Sequence, residues 1–461
     1  MSWRKTDATK GVTAKQQASQ LFKLKTFALK SAALWIASEA DATAVAEGLF
    51  RSVHPWWKGS RSLSFVLPRS SSSARYAFDG VRAQIRDLHT ENIANLAVRA
   101  RELGDVIALW YGEGDMVTPA FIRDAAKTAF DEGLTFYVPN MRGHGPLNEA
   151  LSDYQTRIHG RSIPITRTTV TPGGMQALYL ALELLVDTGT NVVYVAPQWP
   201  NIHNAIHLIG GEPRPFSLDF KGDWQLDLDR LFATCDARTR AIFLSTPSNP
   251  TGWTATHEEM QALLDFSRRT GIWIISDEVY GRLYFDGDVA PSILQIAEDG
   301  DRVLSVNSFS KAWAMTGWRI GWLTHPSGVA DQLGAMTQYI NSGTAAPIQA
   351  GAVAAIRQGE PLVEEIRQRI RTGLDLAYDR LAQIPGVILP TKPRGGMYAF
   401  FALEGESDAR QACARILETA RVGLAPGHLF GSAATAFFRM CVCRDRDQIA
   451  TALTRMVAAM N

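Results

Sequence analysis

The segment VLSVNSFSKAWAMTGWRIGWL, residues 303–323, decides the fold of this chain. It holds two short apolar runs, Val303 to Ser308 and Trp318 to Leu323, on either side of a polar loop that contains Lys311. Short apolar runs bounded by polar or turn-forming residues predict buried strands. We therefore expect Lys311 to lie just beyond the end of a strand.

The same pattern continues upstream of this segment. Short apolar runs at Asn191 to Ala196, Arg240 to Thr246 and Ile272 to Asp277 alternate with stretches of helical periodicity, and Val81 to Leu103 is also predicted as helical. This alternation predicts βαβ units, and hence an α/β fold whose largely parallel sheet is covered by helices on both faces. Downstream, long helical patterns surround a short strand near Met397 to Phe401 and predict a second, smaller α+β domain.

Length and composition exclude several classes of function. The 461 residues are 46% apolar and 20% charged, which is enough to bury one large core or two linked cores. Lys plus Arg number 47 and Asp plus Glu number 46, so we expect neither nucleic acid nor an anionic membrane as a partner of the whole chain. The sequence contains no run of about 18 uninterrupted apolar residues, so it predicts no membrane-spanning helix. The four scattered cysteines predict no disulfide framework and no metal site, and favour a reducing, cytoplasmic location.

Residues 1–80 differ from the rest of the chain in charge. They carry 12 Lys or Arg against 5 Asp or Glu, whereas the remaining 381 residues carry 35 against 41. An apolar stretch with three lysines, Leu21 to Ile36, predicts a basic amphipathic helix, and the Ser/Arg-rich residues 60–75 predict a linker. Two interpretations stay open: a flexible basic extension, either transit-like or a solvated arm, or sequence upstream of the true translation start.

Polar residues around Lys311 indicate a binding site. Ligands of open α/β sheets collect at the carboxyl ends of strands, where partial desolvation lowers the pKa of a lysine and makes its amine a nucleophile. Most lone loop lysines face solvent, but Ser308, Ser310 and Arg319 stand nearby. Hydroxyl groups and a guanidinium are suitable donors for a bound phosphate.

A second cluster follows the predicted strand at residues 272–277. Asp277 ends that apolar run, where a carboxylate is costly to bury unless a cation meets it. The cation is either a structural arginine or a protonated heterocyclic nitrogen. Tyr280, three residues later, offers a phenol that can donate to an aromatic oxygen.

Two further strings are weak signals when each is taken alone. Ser248 to Gly252, which contains Asn249, is a turn pattern after the predicted strand at residues 240–246. Gly173 and Gly174 open a predicted helix, and Met175 follows them. Glycines at such a position let the first N–H groups of a helix approach a phosphate closely.

In this order and spacing, the four clusters resemble the class I/II aminotransferases, the aspartate aminotransferase superfamily of pyridoxal-phosphate enzymes with fold type I. The string Ser-x-Ser-Lys-x5-Gly-x-Arg-x-Gly over residues 308–321 carries the resemblance, which extends from about residue 81 to the C-terminus. It implies a large domain at residues 116–340 with a mostly parallel sheet of the seven-stranded type. It also implies a smaller α+β domain formed by residues 81–115 and by residues 341–461, which begin with a bridging helix.

The resemblance also implies roles for individual residues. It implies that Lys311 forms a Schiff base with pyridoxal 5'-phosphate and that Asp277 partners the ring nitrogen, with Tyr280 beside them as the third catalytic residue. Tyr280 and Asn249 correspond to the groups that bind the phenolic oxygen of the coenzyme. The phosphate cup of the family corresponds to Gly174, Met175 through its N–H, Ser308 and Arg319.

Four more residues match family positions around the substrate and the neighbouring subunit. Trp199, which would otherwise be interpreted as core, matches the aromatic residue that stacks on the coenzyme, and with Asn249 it also contacts substrate. Arg439 matches the arginine that binds the α-carboxylate, the alternative being a buried ion pair. Gly112 matches the substrate-side glycine. Tyr137 matches the tyrosine that reaches the phosphate of the partner, which implies a homodimer with shared active sites.

The function implied by the resemblance is transamination between an L-amino acid and a 2-oxo acid by a ping-pong mechanism. A pyridoxal-phosphate-dependent C–S lyase and an aminotransferase-like DNA-binding regulator are the alternatives, although no helix-turn-helix pattern precedes Gly80. The substrate stays open. Met175 stands where some aspartate-preferring members have a lysine, and Arg142 either reads a substrate side chain or is a solvated loop arginine.

Overall fold

The computed structural model describes residues 81–86, 88 and 93–460. The predictions for residues 1–80, including the helix at residues 21–36 and the linker at residues 60–75, lie outside the described residues. The helical prediction for residues 81–103 corresponds to two helices, α1 and α2, within the described positions.

The α-helices of the described residues are α1 Ala83–Arg86, α2 Ala94–Leu103, α3 Ala120–Asp131, α4 Gly145–His159, α5 Gly174–Leu185, α6 Asn201–Leu208, α7 Leu228–Thr234, α8 His257–Thr270, α9 Ala330–Ile340, α10 Ala346–Gln358, α11 Glu360–Leu381, α12 Ala409–Ala420 and α13 Arg446–Met460. The strands are β1 Ile107–Ala108, β2 Thr168–Thr171, β3 Asn191–Ala196, β4 Glu212–Ser217, β5 Asp219–Phe220, β6 Trp224–Gln225, β7 Thr239–Ser245, β8 Trp273–Asp277, β9 Val303–Ser308, β10 Gly321–Thr324, β11 Val387–Ile388, β12 Tyr398–Leu403, β13 Val422–Gly423, β14 Ala425–Pro426 and β15 Phe437–Cys441. In this described part of the chain, each helix is too short or too polar to cross a membrane.

The central sheet has seven strands in the order β2-β10-β9-β8-β7-β3-β4. β4, β3, β7, β8 and β9 pair in parallel, whereas β10 runs antiparallel to both of its neighbours. Every residue of β3 is buried, because helices cover both faces of the sheet. The α/β fold with a mostly parallel sheet is therefore confirmed.

The predicted strand bounds agree closely with the structure except at one strand. The predictions at residues 191–196 and 303–308 coincide with β3 and β9, but the strand predicted from Trp318 begins only at Gly321. Trp318 instead ends a 3-10 turn and donates its indole N–H to Thr118 Oγ1 at 3.0 Å. Arg319 has a left-handed backbone with φ of 52°. Residues 318–320 belong to the loop before β10, so the prediction was wrong there.

A second sheet has four antiparallel strands in the order β11-β12-β15-β14 and contains the strand predicted near residues 397–401. β1 pairs in parallel with β13, which joins the segment before residue 109 to the C-terminal part of the chain. A continuous apolar cluster connects the two sheets, with Trp322 of β10, Ile370 of α11 and Phe438 of β15 among its buried members. Fully burying a large apolar side chain contributes roughly 1.5–3 kcal/mol, so this cluster is a major stabilising element. The predicted domain boundaries stay a prediction.

Candidate active site

The carboxyl ends of three neighbouring parallel strands open onto one cavity. β7 leads to Asn249, β8 ends at Asp277, and β9 ends at Ser308. The cavity has a volume of about 640 Å³, and all three side chains line it. Parallel strands bring their carboxyl ends to the same edge of a sheet, and this explains why residues so distant in sequence meet here.

Lys311 lies three residues beyond β9 and lines this cavity. Its Nζ donates a hydrogen bond to the carbonyl oxygen of Gly112, which belongs to the segment after β1. Desolvation lowers the pKa of Lys311, with the Arg439 guanidinium adding to the effect. The amine is therefore closer to its neutral, nucleophilic form than a solvated lysine.

Asp277 is buried at the end of β8, with 6% of its surface exposed. Its Oδ1 accepts the backbone N–H of Val279 at 3.2 Å, and burial raises the pKa of the carboxyl to about 7. No arginine of the described residues forms an ion pair with Asp277. Within these residues, the alternative that a structural arginine neutralises the carboxylate is therefore not found. The Lys311 amine acts on this carboxyl in the opposite sense and lowers its pKa in part. A buried acid that has no ion-paired arginine among the described residues suits a cationic ligand.

A cradle for an anion lies where α5 begins. Gly173 has φ of +90°, and a Cβ added to it would lie 2.4 Å from Arg319 Nη2. A Cβ on Gly174 would lie 3.2 Å from Ser308 Cβ. Ser308 Oγ donates to Ser310 Oγ at 2.9 Å, so two hydroxyls stand beside the helix N-terminus. Helix N–H groups, hydroxyls and a guanidinium together form a site for a phosphate dianion.

Arg439 is buried in β15, with 5% of its surface exposed. Its Nη1 donates to Asn249 Oδ1 at 2.8 Å, and its Nη2 donates to the carbonyl oxygen of Trp110. Its buried Nε has no hydrogen-bond partner, and no carboxylate pairs with it among the residues described. The alternative of a buried ion pair is therefore not found. An unpartnered buried donor favours an external acceptor such as a carboxylate.

The other residues predicted to bind the coenzyme or the substrate within one subunit also line the cavity. Tyr280 is buried, which raises its pKa well above the usual range of a phenol, and its hydroxyl lies 2.9 Å from that of Tyr398. Trp199 is half-buried against the cavity rather than in the core. Gly112 and Met175, the second residue of α5, complete the set.

Two residues of interest lie outside this cavity. Tyr137 is 83% exposed on the surface. Arg142 donates its Nη1 to the carbonyl oxygens of Thr166 at 3.1 Å and Thr168 at 3.3 Å. The role of Tyr137 in the partner's site and the role of Arg142 toward a substrate side chain both stay predictions.

Two features of the site were not predicted from the sequence: Tyr398, which lines the cavity from β12, and the contact between Thr316 and Glu113. Thr316 Oγ1 donates to Glu113 Oε1 at 2.6 Å beside the lysine loop. Tyr398 stands in an apolar run that indicates a buried strand, and no sequence signal says which of its residues faces a ligand. The only available signal was that its phenol, if buried, needs a hydrogen-bond partner.

A desolvated lysine, a buried acid and a phosphate cradle at the carboxyl edge of a mostly parallel sheet define a pyridoxal-phosphate enzyme of the aminotransferase class. Comparison with known proteins agrees, since residues 105–456 match the family described as aminotransferase class I and II. The chain therefore belongs to this family, whose members use pyridoxal 5'-phosphate, and it is a transaminase.

Individual relatives cover most of the chain. Aspartate aminotransferase of Geobacillus stearothermophilus is 32% identical over 376 residues, which cover 79% of this chain and 95% of that protein. Aromatic-amino-acid aminotransferase 2 of Thermococcus litoralis is 30% identical over 374 residues, which cover 80% and 95%. The crystal structure of the aspartate aminotransferase from Rhizobium meliloti has a TM-score of 0.77 at 28% identity, covering 82% of this chain and 98% of that one. These comparisons favour neither the lyase nor the DNA-binding regulator.

The residues that line the cavity fit the coenzyme of the family. The phosphate matches the cradle of Arg319, Ser308 and the α5 N-terminus, where a side chain at Gly173 would fill the space. The ring nitrogen would match Asp277, a buried acid that forms no ion pair with an arginine of the described residues. The phosphate and the ring nitrogen thus each have a chemically suitable partner in one cavity.

Proposed function

We propose that this cavity is the active site and that Lys311 is the amine that binds the coenzyme and moves the proton at the α-carbon of the substrate. The observation that carries the proposal is that Lys311 and Asp277, which follow different strands, line the same cavity. When bound, the coenzyme supplies an electron sink for that carbon. The lowered pKa of Lys311 leaves more of the neutral amine to act as a base near pH 7.

Other residues of the cavity would hold and orient the coenzyme. Asp277 would hold the proton on the ring nitrogen, because a buried carboxylate favours a charged partner. Asn249 Oδ1 already accepts a hydrogen bond from Arg439. The amide N–H groups of Asn249 would therefore donate to the ring oxygen of the coenzyme, together with the hydroxyl of Tyr280. We assign phosphate binding to Gly174, the N–H of Met175, Ser308 and Arg319.

Arg439 would bind the α-carboxylate of both substrates, an L-amino acid and a 2-oxo acid. Its guanidinium already has two fixed partners, Asn249 and the Trp110 carbonyl, which limit its rotation. A planar, oriented guanidinium can donate two parallel charged hydrogen bonds to a carboxylate. Gly112 and Trp199 complete the substrate side of the proposed site.

We also propose that the protein is a homodimer with shared active sites. Large apolar side chains are exposed on the described chain, including Phe136 at 84%, Tyr137 at 83% and Tyr339 at 84%. Exposed aromatic residues are enriched where subunits meet, and this supports Tyr137 as a contributor to the partner's site. Sedimentation equilibrium tests this part, because a monomer at micromolar concentration would exclude it.

A cytoplasmic location is part of the proposal. All four cysteines are free thiols, and three of them are buried. Free thiols are typical of reducing compartments. Fractionation of the native source, with the mature N-terminus sequenced, tests the location and also shows whether residues 1–80 are present in the mature protein.

The experiment that tests the function is a visible spectrum of the purified protein, followed by single amino acids added without any oxo acid. We expect a true donor to abolish the visible band of the bound coenzyme and a 2-oxo acid to restore it. Aspartate, phenylalanine and arginine form the first panel, since the names of the relatives include aspartate, aromatic and arginine–pyruvate aminotransferases. Release of pyruvate and ammonia from cystathionine without an oxo acid would instead indicate a lyase. A protein that takes up no coenzyme would refute both functions.

A further inference from the structure

Tyr398 lies at the centre of the proposed site, although no sequence pattern pointed to it. It is the first residue of β12, is 2% exposed and lines the cavity. β12 pairs with β15 so that Phe400 stands opposite Arg439, which places Tyr398 diagonally from Arg439 on the same face of the sheet. Its side chain therefore reaches the substrate arginine from the neighbouring strand.

The hydroxyl of Tyr398 is hydrogen-bonded to another residue of the proposed site. The Tyr398 and Tyr280 oxygens lie 2.9 Å apart, and either one can be the donor. A phenol has one proton. If Tyr280 donates its proton to the ring oxygen of the coenzyme, then in this bond it must accept, and Tyr398 must donate. Tyr398 thereby sets the direction in which Tyr280 presents its proton.

The ring of Tyr398 contacts Arg439. The central carbon of the guanidinium, Arg439 Cζ, lies 4.5 Å from the centroid of the Tyr398 ring. The same carbon lies 4.7 Å from the centroid of the Phe430 ring. A cation that lies over an aromatic ring is attracted to the ring, so both rings attract the guanidinium. The two contacts together restrict how the guanidinium of Arg439 can turn.

Gly112 shows how closely Tyr398 is fitted into the site. A Cβ added to Gly112 would lie 2.1 Å from the Tyr398 hydroxyl oxygen, so any other residue at position 112 would displace that hydroxyl. The carbonyl of the same glycine accepts the Lys311 amine. Because Gly112 has no side chain, the Tyr398 hydroxyl and the Lys311 amine can both contact the backbone at this position.

We propose that Tyr398 is a positioning residue of the active site, whose hydroxyl orients Tyr280 and whose ring orients Arg439. This inference rests on the proposed function of the cavity. It separates two effects that belong to different parts of one side chain. The hydroxyl acts on the coenzyme side through Tyr280, and the ring acts on the substrate side through Arg439.

Two substitutions at Tyr398 test the inference. Tyr398→Phe keeps the ring and removes the hydroxyl, so we expect kcat to fall about 2- to 10-fold, the worth of one hydrogen bond, while KM stays unchanged. Tyr398→Leu removes the ring as well, and we expect KM for both substrates to rise about 2- to 30-fold. Tyr194→Phe is the matched control, since it removes a buried hydroxyl that bonds to His203 Nδ1 at 3.2 Å, outside the cavity.

A spectroscopic readout that needs no turnover accompanies the kinetics. In Tyr398→Phe, Tyr280 receives no hydrogen bond and becomes a weaker donor, so the ring oxygen of the coenzyme retains its proton to higher pH. We expect the pH midpoint of the visible band to rise in Tyr398→Phe and to stay in place in Tyr194→Phe. The other titratable or charged groups that face Tyr398 are Arg439, Cys441 and Cys443, and they are the same in both variants.

The outcomes separate this inference from the proposed function. If Tyr398→Phe matches Tyr194→Phe in both kcat and band midpoint, the hydroxyl has no positioning role. If Tyr398→Phe raises KM as much as Tyr398→Leu does, the division between hydroxyl and ring is wrong. If the wild-type protein binds no coenzyme, the proposed function itself is wrong.

Discussion

Gly173→Ala is the sharpest perturbation of the proposed phosphate cradle. Gly173 caps α5 with φ of +90°, and the added Cβ would lie 2.4 Å from Arg319 Nη2 and 3.0 Å from Arg319 Cζ. Contacts below 3 Å are not tolerated, so the guanidinium must move away from the α5 N-terminus. The substitution thus displaces a proposed phosphate ligand without changing any charged group.

The expected loss follows from one charge-assisted hydrogen bond. Such a bond contributes about 1.5–3 kcal/mol, so losing it should raise the Kd for pyridoxal 5'-phosphate about 10- to 150-fold. The positive φ adds a strain of about 1–3 kcal/mol, which lowers stability rather than coenzyme affinity. The two effects are measured separately, by equilibrium titration of the coenzyme-free protein and by its thermal unfolding.

Gly189→Ala is the matched control. Gly189 has φ of +87°, but no atom lies within 4 Å of an added Cβ. Both variants therefore carry the backbone strain, and only Gly173→Ala carries the clash with Arg319. We expect similar losses of Tm in the two variants and a raised Kd in Gly173→Ala alone. If the two variants bind the coenzyme within twofold of each other, the cradle does not hold the phosphate.

Three further predictions concern charged side chains. Arg439→Ala should raise KM for amino acid and oxo acid alike by about 10- to 150-fold, and unchanged KM values in steady-state assays would remove it from the site. Asp277 has a folded pKa raised to about 7, above its unfolded value of about 4, so the coenzyme-free protein should lose stability as pH rises between these values. Urea unfolding of wild type and Asp277→Asn checks this, and the reasoning fails if their stabilities change equally over that window. Arg142→Ala should affect aspartate and alanine equally if Arg142 only binds the Thr166 and Thr168 carbonyls, whereas a selective loss with aspartate would show that it reads a side chain.

Much of the fold could be predicted because both faces of the central sheet are covered. A strand that is buried on both faces is a continuous apolar run, and this is why the bounds of β3 and β9 were predicted to the residue. The strand predicted from Trp318 failed because an apolar residue in a functional loop looks like the start of a strand. There, the side chain of Trp318 is fixed by a hydrogen bond to Thr118, a contact 200 positions away in the chain.

The site could be predicted where its residues follow strands, and not where they come from other parts of the chain. Lys311 and Asp277 lie at strand ends, so sheet topology alone brings them to one edge. The bond between Arg439 and Asn249 and the position of Tyr398 depend instead on how the four-stranded sheet packs against the cavity. Local sequence contains no signal for that packing. The role of Tyr137 depends on a second subunit and stays a prediction.

The most direct test of the central claim is to find the lysine that carries the coenzyme. Borohydride reduction of the coenzyme-loaded protein, followed by peptide mass mapping, should place the coenzyme on Lys311 alone. The exposed Lys127 serves as an internal control, since its Nζ is ion-paired with Asp124 at 2.8 Å on the surface. A label on Lys127 or any other lysine, or no label at all, would contradict the account.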